Sequence, residues 1–137
     1  MKSVNIKGKE YITVNERLIY FRKQATFKGW RIVEDLIELN EKEGVFKVSI
    51  VNQNDDVITS AHAQEYRDAS YINKTSFLEN GFTSALGRAL GYLGIGIDTS
   101  IASAEELVNA LNNQSVKKKQ TNTNQYNNLN QLQNVKF

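Results

Sequence analysis

The chain of 137 residues contains no cysteine. Disulfides, thiolate zinc sites and cysteine nucleophiles are thereby excluded together. Proline is also absent, and nothing in the sequence accounts for it. The single histidine, His62, has no second histidine or cysteine with which to share a metal ion, so a structural or surface role is expected of it. Asp55-Asp56 sits in turn-like sequence, where acids serve local hydrogen bonding, and no other ligand converges on the pair. Gly94-x-Gly96 lacks the Gly-Lys-Ser/Thr that would complete a phosphate-binding loop. There is no Gly-x-Ser-x-Gly elbow and no nucleophile beside a base. No run approaches the ~18 apolar residues of a membrane span. The opening MKSVNIKGKE has no apolar stretch behind its lysines, as a signal peptide would. These absences point away from an enzyme, a cofactor and a membrane, and toward a binding module.

Acid is missing from one end of the chain. All fifteen Asp and Glu lie in residues 1–111 beside thirteen Lys and Arg, a net −2, whereas residues 112–137 carry four lysines and no acid. The same 26 residues include thirteen Asn or Gln and few apolar side chains. Such a segment cannot bury enough surface to offset its ordering entropy, so disorder is expected there. Its charge suits either a salt-sensitive attraction to phosphates or simple solubilisation.

Within residues 1–111 the hydrophobic pattern supports one domain. Residues 1–12 read as an extended polar lead-in. Thr13-Val14-Asn15-Glu16 fits a capping box and opens a helix, with Leu18, Ile19 and Phe21 on its apolar side and Gly29 punctuating its end. Residues 30–40 suit either a helix face or a strand, and the strands that follow favour the strand. VFKVSIV at 45–51 alternates, Asn54-Asp55-Asp56 turns, and Val57 to Ala63 alternates again, so an antiparallel sheet with one apolar face is expected. Residues 66–73 read as a polar loop. Ser76-Phe77-Leu78-Glu79 is a second capping box, heading a helix to about Leu93. Gly87 and Gly91 share one face of that helix and imply close packing against a sheet, a second subunit or a nucleic-acid backbone. Ser103-Ala104-Glu105-Glu106 caps a last short helix.

The stretch richest in hydroxyls, glycines and basic or aromatic groups is residues 71–106. Small residues allow a phosphate backbone to approach, hydroxyls donate, Arg88 can pair with a phosphate, and tyrosines can stack on bases. The plainer alternative makes Tyr92 and Leu93 core and Arg88 half of a surface ion pair.

This stretch resembles short proteins from phages of Gram-positive bacteria described as single-stranded DNA-binding or recombination proteins. The resembling residues are Tyr11 to Arg17, Ile72 to Ser76, Thr83 to Gly91, and Gly94 to Glu106, spanning most of 11–111. Gly81-Phe82 departs from the pattern, and the tail has no counterpart. More distantly, the order helix, sheet, then a helix bearing Arg88-Ala89-Leu90 resembles the annealing core of the Rad-fifty-two superfamily, including its Erf and Sak types. Of the basic residues around that core helix only Arg88 matches, with Gly87 and Gly91 at neighbouring positions.

The expectation is therefore an α+β domain over 1–111: an N-terminal helix, a three-stranded antiparallel sheet, a long helix packed across it and a short C-terminal helix, followed by a disordered tail over 112–137. The resemblance implies sequence-independent single-stranded DNA binding and annealing in phage replication or recombination, in the cytoplasm of a bacterial host. It also implies a homo-oligomer, a ring among its forms, and a phage or host recombination protein as partner. Arg88 and Lys74, with Thr75, are the first candidates for phosphate contact. Lys47, Arg67 and Tyr71 could extend the path, and Lys117, Lys118 and Lys119 would act as a loose tether. Two rivals stand beside this reading. One is an OB-like barrel that coats single strands without annealing them. The other is a protein that docks on a host protein through Leu129, Leu132, Val135 and the Phe137 end.

Overall fold

A computed structural model describes residues 1–133. The α+β class is as expected, with one addition at the start. Residues 1–12 are extended, but they pair with themselves: β1 (Ser3–Ile6) and β2 (Lys9–Ile12) form an antiparallel hairpin. The cause is a two-residue turn in which Lys7 and Gly8 both take positive φ, 51° and 84°. That is the backbone twist a tight hairpin requires. Asn5 Oδ1 fixes it by accepting from the Gly8 amide at 3.0 Å.

Helix α1 (Val14–Lys23) starts at its capping box, where Thr13 Oγ1 accepts from the Glu16 amide at 3.3 Å. It stops five residues before Lys28. Gln24 is extended, and a 3-10 turn over Ala25–Phe27 folds Phe27 back onto Phe21, with ring centroids 5.1 Å apart. The buried face of α1 is Val14, Arg17 and Phe21, while Ile19, expected on the apolar side, is exposed.

Three strands follow: β3 (Arg31–Leu39), β4 (Glu43–Val51) and β5 (Val57–Tyr66), antiparallel in that order. Residues 30–40 are thus a strand. The β4–β5 turn is built on Asn52, whose Oδ1 accepts from the amides of Asn54 and Asp56 at 2.9 and 3.0 Å. Phe46, Val48 and Ile50 alternate onto one face of the central strand and are fully buried. A three-stranded open sheet is not an OB-like barrel.

Helix α2 (Asn73–Tyr92) lies across β4 and β5. It begins one turn earlier than its capping box, but Ser76 breaks it with non-helical angles (φ −128°, ψ 36°), so the regular helix does run from that point. Phe77, Ala85, Ala89 and Leu90 close the core over the sheet. Gly87 and Gly91 pack within the chain, but not against the sheet. A Cβ at Gly87 would stand 2.6 Å from Val14 Cγ2 and 2.8 Å from Ser103 Oγ, and one at Gly91 would stand 2.8 Å from Arg17 Nη1. The pair makes room for α1 and for the loop leading to Ser103. Gly81 is the glycine that faces the sheet, through the Phe46 ring.

The final helix corrects the expectation of a short helix and a disordered tail. Helix α3 (Ala104–Gln133) opens on Ser103, whose Oγ accepts from the Glu106 amide at 3.2 Å, and continues unbroken for 30 residues. Neither glycine nor proline interrupts 104–133. The hydroxyls of Thr121 and Thr123 return to the carbonyls of Lys117 and Lys119 at 3.0 Å rather than competing for a turn. Only the first part docks. Its last hydrogen bond to the sheet is Asn113 Nδ2 to the Gln64 carbonyl at 3.0 Å, and residues 117–131 are exposed throughout. Val135, Lys136 and Phe137 lie outside the described residues. No helix among those described is long and apolar enough to cross a membrane.

Candidate nucleic-acid interface

The basic side chains singled out from sequence are spread over several elements. Tyr71, Lys74 and Thr75 are exposed at the start of α2, with Tyr71 86% exposed. Lys47 is half-buried on the sheet face away from α2, in register between Asp35 of β3 and His62 of β5. Arg88 adopts the plainer of its two readings. Its Nε is ion-paired with Glu106 of α3, and its Nη1 reaches the Tyr92 hydroxyl at 3.3 Å. Burial alone would lower the Arg88 pKa, but the Tyr92 hydroxyl and the Glu106 carboxylate outweigh it and hold the guanidinium above its usual value. Arg88 therefore clamps α3 to α2 in the free protein.

That clamp has a measurable consequence. Glu106 Oε2 is buried without a hydrogen-bond partner. Replacing Arg88 by alanine leaves a half-buried carboxylate uncompensated, a loss of about 1–3 kcal/mol. Arg88→Ala should lower the melting temperature, and adding Glu106→Gln should recover part of the loss. A double variant no better than the single one would mean that the pair is not coupled.

The deepest charge belongs to Arg17, to which the sequence alone assigned no role. It is fully buried and donates four hydrogen bonds to carbonyls. Nη1 reaches Gly87 and Ile101, both at 2.8 Å, and Nη2 reaches Gly96 at 3.1 Å and Ser100 at 3.0 Å. Burial pushes its pKa down; Glu106 and Glu105 oppose this, and Arg88 adds to it. Arg17 thus fixes the loop from Gly94 to Ser103 and with it the origin of α3.

A second polar cluster locks α3 to the sheet. Glu65 is 1% exposed and accepts from Asn73 Nδ2 at 3.2 Å. Asn80 donates to Asn73 Oδ1, and Asn109 of α3 donates to Ser84 Oγ, both at 2.6 Å. Burial raises the Glu65 pKa, and hydrogen bonding from Asn73, Ser84 and Asn109 only partly restores it. A raised folded-state pKa means that the fold binds this proton more tightly than the unfolded chain does. The stability from Glu65 is complete below the ordinary glutamate value and falls as pH rises through the raised one. Glu65→Gln should therefore raise the melting temperature more at pH 7 than at pH 4. Equal shifts at both pH values would show that the carboxyl is not desolvated.

A cavity of about 850 Å³ is an open groove between the β3–β4 turn and the exposed half of α3. Lys119, Gln120, Thr123 and Asn124 form its helix wall. They are spaced so that one face of α3 presents them together. The other wall is Asn40 to Glu43 with Tyr66. Asn40 shapes this turn, its Oδ1 accepting from the amides of Lys42 and Glu43 at 2.8 and 2.9 Å. Arg67 braces the turn from behind: Nε donates to the Asn40 carbonyl at 3.0 Å, and the guanidinium stacks over the Phe77 ring at 4.6 Å. Of the nine sequence candidates, Lys119 lines this groove and Arg67 supports it. Lys42 and Tyr66 escaped the sequence reading, because Lys42 sits between two acids and Tyr66 ends a strand that alternation places no further than Ala63. Among the described residues no three His, Cys, Asp or Glu side chains gather closely enough to hold a metal ion. Comparison with family models, with curated proteins and with solved structures finds no match.

Proposed function

We propose that this chain binds single-stranded DNA without sequence preference and anneals complementary strands. The observation that carries the reading is the run Lys117 to Lys119 on an exposed helix. None of the three pairs with a carboxylate among the described residues, and no acid occurs from residue 112 onward. An unpaired basic helix on an otherwise near-neutral body supplies the sequence-blind attraction to phosphates that such binding needs. The resemblance of residues 11–106 to phage single-stranded DNA-binding proteins supports the strand preference. It also supports action in replication or recombination in the cytoplasm of a bacterial host, with a phage or host recombination protein alongside. Lys74, Thr75 and Tyr71 offer a second exposed contact. Arg88 would contribute by exchanging Glu106 for a phosphate.

Self-association belongs to the same reading. Strand β3 is an edge strand with Leu36, Ile37 and Leu39 exposed. An apolar edge of this length invites a further strand or a neighbouring copy, and closure of such contacts gives a ring. Docking on a host protein is the second reading, favoured by Tyr126 and Leu129, exposed one turn apart on α3.

Removing residues 116–137 tests the reading. The cut lies beyond the last bond from α3 to the sheet, so the melting temperature should hold within about 2 °C. It deletes four lysines and no acid. Annealing of complementary oligonucleotides should slow, and the salt slope of single-strand binding should shrink by up to about four phosphate contacts. Full retention of both would contradict the electrostatic role of α3.

A further inference from the structure

We infer that the groove between the β3–β4 turn and α3 is the strand track, and that it holds a single strand with phosphates along the helix and bases toward the turn. This rests on the single-strand reading above and assigns its site. The two walls differ in charge. Lys119 belongs to the helix wall, which has no acid. Glu41 and Glu43 belong to the turn wall, where Glu43 Oε2 already accepts from Gln64 Nε2 at 2.9 Å. A phosphate is attracted to the first wall and repelled by the second. A base meets the opposite preference, because Glu41 can accept from the exocyclic amine of cytosine or adenine, and Tyr66, which also lines the groove, offers a ring for stacking. Gln120 and Asn124 carry both donors and acceptors, and Thr123 Oγ1 can still accept, so they contact sugars and base edges without selecting a sequence. Lys42 stands among the acids of the turn wall, where it can close the strand in from the far side.

The volume lies in the upper part of the roughly 300–1,000 Å³ range of sites that enclose a small organic ligand. It is room for an unpaired base with its sugar and phosphate. Arg67 acts as a positioning residue, holding the turn wall through Asn40. Arg88, on the α2–α3 seam, lies outside the track.

The test compares two charge reversals in the full chain, using fluorescence anisotropy of a labelled mixed-sequence single strand at low salt. Lys42→Glu with Lys119→Glu should weaken binding about tenfold or more and reduce the salt slope by about two. Lys23→Glu with Lys28→Glu, the same charge change at exposed lysines away from the groove, should weaken it less than about threefold. Tyr66→Leu, with no change of charge, should also weaken binding. Iododeoxyuridine in the strand should photo-crosslink to Tyr66. If the unaltered protein binds the strand but the Lys23/Lys28 variant loses as much as the Lys42/Lys119 variant, or crosslinks fall outside the groove, the track is elsewhere and only this inference fails. If the unaltered protein binds no single strand at low salt, the functional reading itself fails.

Discussion

Replacing Arg17 by methionine should cost more than about 4 kcal/mol and leave the chain largely unfolded at 37 °C. Methionine fills much of the same volume but offers no donor. The carbonyls of Gly87, Gly96, Ser100 and Ile101 would then lose their shared partner. A buried acceptor without a partner costs about 1–3 kcal/mol, and four at one site exceed what most single substitutions do. Total stability of a domain is typically about 5–15 kcal/mol. The loss also spreads, because those carbonyls set the loop that launches α3. Arg17→Lys should restore only part of it, since one ammonium has three donors for four acceptors. Thermal melting by circular dichroism reads the effect. A methionine variant melting within a few degrees of the parent would show that the loop holds without its arginine.

The second large effect is expected at Gly81. A Cβ there would stand 2.2 Å from two atoms of the Phe46 ring, inside any real carbon contact. The ring cannot step aside. It is fully buried and held edge-on between Phe77 and Phe82, with centroids 5.4 and 5.0 Å away. Gly81→Val must push α2 off the sheet, a strain of about 3 kcal/mol or more that outweighs the gain in helix propensity. Even Gly81→Ala should destabilise. Shrinking the opposing ring should relieve it, so Gly81→Ala with Phe46→Leu should lose less than the two single losses combined. Strict additivity would mean that the two residues do not touch.

These two positions mark where sequence reasoning reaches its limit. Elements whose signals are local were legible: Thr13 and Ser103 cap helices as their capping boxes require, and β4 alternates as its residues do. The Gly87 and Gly91 spacing announced close packing but not its partner, because a glycine shows that something is near without naming it. Arg17 could be placed only by seeing that it sits three residues after Val14 and four before Phe21, on the stripe that the fold buries. A charge on that stripe reads as solvent-facing until four carbonyls are found around it. The long course of α3 was hidden because Asn, Thr and Gln suit a disordered tail as well as a helix. The groove was hidden for the same reason, since one of its walls is that helix. Its other wall combines residues 40–43 with Tyr66, which the sheet alone brings together.

The central claim is that the chain prefers single-stranded DNA and holds it chiefly through charge. The most direct measurement is an anisotropy titration of one labelled oligonucleotide, alone and annealed to its complement, from about 50 to about 200 mM salt. The account requires tighter binding to the single strand throughout, with log affinity falling linearly as log salt rises. Equal affinity for both forms, or no binding to either at the lowest salt, would contradict it.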